Sequence, residues 1–106
     1  MPQATALEKL KEEQKKVKEA LSQLESQKAE IQEKFLSVLK DEENLAKQLR
    51  ECRDPYKYGQ IEMRLNTISR SRREIESQKE ELERKNRGFK DDLAKIEGRI
   101  EYLKPK

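Results

Sequence analysis

The chain has 106 residues, 44% charged and 32% hydrophobic, with no Trp, no His, one Cys and three Gly, and 25 basic against 22 acidic residues leave it at +3. This composition is too poor in apolar residues for a compact globular core and points to a coiled coil, or to disorder if the apolar residues lack a helical spacing. Without His, a Cys pair or a glycine-rich phosphate loop, the usual catalytic, cofactor-binding and metal-binding constellations are excluded, and no small-molecule ligand is expected.

From Leu7 the first half carries an unbroken sevenfold apolar series, Leu10, Val17, Leu24, Ile31, Val38, Leu45 and Cys52. Its companion, three residues earlier, alternates: Leu7, Gln14, Leu21, Lys28, Phe35, Glu42, Leu49. In heptad terms the d positions are wholly apolar and the a positions are interrupted. Acid–base pairs four residues apart, such as Glu12 with Lys16 and Glu30 with Lys34, support ordered helix over a disordered polyampholyte. The spacing predicts a first helix over about 5–52.

Within that helix the turn Phe35, Leu36, Ser37, Val38, Leu39 is apolar over more than the seam. Phe35 and Val38 belong to the seam, but Leu36 and Leu39 do not, a width expected where a helix meets more than one partner. Two occupants remain open, a second copy of the chain or a different helical protein.

The segment RDPYKYG, Arg53–Gly59, interrupts the pattern. Asp54 is a good helix N-cap, Pro55 a good first helical residue that disfavours helix before it, and Gly59 a flexible point. A tip over about 53–58 is expected, with Tyr56 and Tyr58 either offering aromatic surface or capping the last seam layer. Cys52 at a d position reads as packing, and a lone cysteine agrees with a reducing compartment.

The second half repeats the d series as Ile61, Ile68, Ile75, Leu82, Phe89, Ile96 and Leu103, and a helix is expected over about 59–103. Its a series is Leu65, Arg72, Lys79, Asn86, Leu93, Ile100, with three polar residues in succession. Gln14, Lys28, Glu42, Arg72, Lys79 and Asn86 are therefore candidate specificity layers, or plain weak spots. A turn centred near Pro55 sets Leu49 near Ile61, Phe35 near Ile75 and Leu7 near Leu103, so that most polar a residues face an apolar d residue. The fold expected is an all-α, antiparallel two-helix coiled-coil hairpin, its rival a kinked parallel dimer. Pro2 and Pro105 punctuate the outer ends, and Gly88 and Gly98 soften the second helix or admit a close neighbour.

The partners expected are a helical protein client, the chain itself as a homodimer or four-helix assembly, or both. Arg64, Arg70, Arg72 and Arg73 gather some positive charge, but interleaved Glu74 and Glu76 and the lack of nearby aromatics argue against nucleic acid. No apolar run approaches the roughly 20 residues needed to span a bilayer, and no signal-peptide stretch opens the chain, so a cytoplasmic protein without membrane insertion is expected.

Two equal, charged helices joined by a short tip resemble small secretion-associated hairpins: the Trp-x-Gly proteins of type VII secretion, the helical adaptors beside LXG toxins, and type III export stalks. Tyr58 and Glu62 match a Tyr-x-x-x-Asp/Glu export signal, placed here at the start of the second helix, and YKYG stands where those proteins have Trp-x-Gly. The adaptor resemblance implies a protein that lies along the helical domain of a secreted client and helps deliver it to the export machinery.

Overall fold

The computed structural model describes residues 2–104, which form two helices and no strand: α1, Pro2–Glu51, and α2, Pro55–Leu103. They pack antiparallel, so the chain is an all-α helical hairpin and its centre is a turn. Pro105 lies outside the described residues.

The reversal is tighter than the sequence suggests. Between the helices lie only Cys52–Asp54, and α2 begins at Pro55, some four residues before its expected start. The cause is local. Asp54 caps α2 by accepting a hydrogen bond from the Tyr56 amide at 3.0 Å through Oδ1, and its carbonyl takes the Tyr58 amide at 2.9 Å as the first helical bond. Pro55 fills the first helical position, where its missing N–H costs nothing. At the other side the Cys52 amide reaches back to the Leu49 carbonyl at 3.4 Å, closing α1 with a tighter last turn, beside Arg50. Tyr56, Tyr58 and Gly59 thus stand on the first turns of α2, and Gly59 has no positive φ.

Two compact units make up the hairpin. The terminal unit takes Met1–Gln27 with Leu82–Lys106, and the link unit takes Lys28–Glu81. The a and d positions lie inside in both units, each of them buried or half-buried from Leu7 to Leu103. The units differ in how far this closure goes. Leu24, Ile96 and Ile100 are 6%, 8% and 6% exposed, and all three belong to the terminal unit, as does the buried Asn86. Among the described residues the link unit has no buried residue, only half-buried ones along its seam.

Backbone substitutions test this account. Asp54→Ala removes the cap of α2 and should cost about 1 kcal/mol. Gly59→Ala and Gly88→Ala should each stabilise the hairpin by about 0.5–1 kcal/mol, since both glycines are helical and an added Cβ meets nothing within 4 Å. Thermal melts followed by circular dichroism read all three, and a Gly59→Ala chain that melts lower would refute the continuous α2.

Candidate functional site: two unlike faces of the seam

In antiparallel pairing the a residues of both helices line one flank of the seam and the d residues the other, while each level sets an a residue against a d residue. The contacts obey this rule. In the link unit Arg72 Nε donates to both carboxylate oxygens of Glu42, at 2.8 and 3.1 Å, and its Nη1 donates to Glu76 Oε1 at 2.9 Å. Arg72 and Glu42 are both a residues, and each side chain is 24% exposed. The two carboxylates, Glu42 foremost through its hydrogen bonds, hold the guanidinium above its ordinary pKa. One heptad on, Lys79 Nζ sits 4.1 Å from the centroid of the Phe35 ring, again an a residue against an a residue.

This differs from the expected facing of polar a by apolar d. A turn centred on Pro55 does bring Phe35 level with Ile75, but Lys79 lies only one helical turn beyond, about 5.4 Å along the axis. Long side chains span that offset, so Arg72 reaches Glu42 and Lys79 reaches the Phe35 ring past their apolar neighbours. Of the remaining candidate layers, Gln14 and Lys28 are half-buried. Asn86, in the terminal unit, is 6% exposed, and its Oδ1 has no hydrogen-bond partner.

The apolar turn of α1 is split in the way its heptad letters require. Phe35, Val38 and Leu39 are half-buried, whereas Leu36 is 55% exposed, on the flank beside the a residues. Tyr56 and Tyr58, at the start of α2, are 74% and 42% exposed, so neither is sealed as a cap. Tyr58 and Glu62 are exposed and one turn apart.

On the opposite flank, beside the d residues, the link unit has an open groove of about 640 Å³. Leu45 and Ile68, both d residues, form its floor. Asp41, Asn44 and Gln48 of α1 edge one side, and Met63, Arg64 and Thr67 of α2 the other. Met63 is 72% exposed, and the Thr67 hydroxyl donates to the Met63 carbonyl at 3.1 Å. The terminal unit repeats the arrangement with grooves over Leu10 with Leu103 and over Val17 with Ile96, edged by Lys95 and Arg99. Sequence reasoning missed these grooves, although the signal was present in the contrast between an unbroken d series and an interrupted a series.

Among the described residues no three metal-ligating side chains gather, and no helix is long and apolar enough to cross a membrane.

Two substitution sets test the polar layers. Glu42→Leu and Arg72→Leu should each lower the melting temperature by stranding the partner's charge, while the double substitution should raise it by several degrees above wild type. Asn86→Leu should stabilise the hairpin by about 1 kcal/mol, because it removes a buried acceptor that has no donor; a lower melting point for this variant would show that Oδ1 is satisfied. No protein-family model, curated protein or solved structure matches this chain.

Proposed function

We propose that the chain is a non-enzymatic helical adaptor or targeting chaperone that works in the cytoplasm and binds a helical protein client by coiled-coil packing. The observation that carries this reading is Leu36, 55% exposed on a helix whose neighbouring Phe35 and Leu39 are only half-buried. An apolar flank wider than its own hairpin covers is the surface an amphipathic helix needs for its i, i+3, i+4 anchors. The exposed Tyr56 and Tyr58 add aromatic area at the reversal, of the kind enriched at binding surfaces. The layout it shares with secretion-associated hairpins makes a secreted protein the client of choice, with Tyr58 and Glu62 available as a signal.

Polar a residues that satisfy one another support the same reading. Glu42, Arg72 and Glu76 form their own network, so a client helix can dock beside them without having to neutralise a bare charge.

A photo-crosslinking residue in place of Leu36, in the chain expressed in its native cells, tests the proposal. The expected product is an adduct with a protein whose crosslinked segment carries a helical apolar repeat, abolished by Leu39→Glu while circular dichroism stays helical. An adduct only with a second copy of the chain, or none at all, would overturn the client reading.

A further inference from the structure

The link unit is open on two sides, and only one of them carries the Phe35–Leu39 turn. The other is the d face, where the groove lies over Leu45 and Ile68. The two faces differ in chemistry. Every d residue of both helices is apolar, whereas the polar seam residues all stand at a, and in the link unit three of them are engaged on their own side, Arg72 with Glu42 and Lys79 over Phe35.

We infer that the d face of the link unit docks a second copy of this chain, as a two-fold dimer in which α1 of one copy lies over α2 of the other. Need is the first argument. The link unit has no buried residue among those described, and the whole chain exposes 8691 Å², against about 6,200 Å² for a typical folded monomer of its mass. That excess is several times the roughly 800 Å² that each partner contributes to a standard interface.

Fit identifies the occupant. Both arms carry d residues at unbroken seven-residue intervals, so a second copy presents knobs at the spacing that the holes of the first require. The charged edges are complementary under the same two-fold. One edge of the groove has Asp41 as its only charged residue and the other has Arg64. Laying α1 over α2 runs the acidic edge of each copy along the basic edge of the other, and an isologous interface makes that match twice. Neither residue has an ion-pair partner among the described residues. Thr67 meets the second copy with its hydroxyl already bonded to the Met63 carbonyl, so docking strands no donor there. The client reading uses the opposite flank, and the dimer does not depend on it.

Light scattering after size exclusion on the 106-residue chain, from about 1 to about 100 µM, reads the mass directly. Wild type is expected to reach twice the chain mass. Met63→Glu, at a position 72% exposed within the hairpin, should weaken the dimer at least about tenfold with unchanged helicity, and Leu36→Glu should leave it intact. Arg64→Asp should weaken it too, and adding Asp41→Arg in the same chain should restore it, a rescue that requires one sequence to supply both edges. A wild type that stays monomeric throughout overturns the inference and leaves the groove to a foreign helix. So does a dimer that survives Met63→Glu, a dimer broken instead by Leu36→Glu, or a double variant as weak as Arg64→Asp alone.

Discussion

Three residues reverse the chain, and the antiparallel pairing they impose gives the seam two unlike sides. Had the helices run parallel, each flank would have mixed the a residues of one helix with the d residues of the other. Running them antiparallel gathers a residues on one flank and d residues on the other. In the link unit the a flank is partly polar, stitched by Arg72 between Glu42 and Glu76 and by Lys79 over Phe35. Its d flank is apolar and grooved. That sorting decides which apolar surface the hairpin itself leaves uncovered.

Energetically the two flanks carry different burdens. An ion pair at a quarter exposure adds little net stability, because desolvation and side-chain entropy offset most of its Coulombic gain. Its effect is to disfavour any pairing that would leave Glu42 or Arg72 alone, which penalises slippage along the seam. The d flank provides burial but not discrimination, since one aliphatic layer fits the next almost as well. Cohesion along the seam therefore rests mainly on its apolar residues. Asn86, enclosed in the terminal unit with an unpartnered Oδ1, detracts from stability there.

Much of this was legible in the sequence because it depends on period alone. Leu10 through Cys52 and Ile61 through Leu103 announce two helices and their seam, and each of those residues is buried or half-buried in the structure. The position of the reversal was legible too, but its length was not. Pro55 and Gly59 suggest a loop between them, yet the cap supplied by Asp54 allows α2 to start at the proline itself. The Glu42–Arg72 pair was hidden for a different reason: heptad letters give the level of a side chain but not how far it reaches. The groove was legible only as a contrast, an unbroken apolar d series beside an interrupted a series, which marks the flank that holds it but not its lining by Leu45 and Ile68.

The brevity of the link also orders events in time. Contacts next to Asp54 close loops of a few residues, whereas bringing Leu10 beside Leu103 closes nearly the whole chain, so ordering entropy favours pairing that begins at the reversal and zips outward. Yet the link unit, which would then assemble first, is the one whose described residues include none that is buried. Its early pairing is inexpensive in entropy and poorly secured by burial. A partner that arrives while the chain is still zipping would therefore find its landing surface already formed, and by covering it would commit the rest of the hairpin to close.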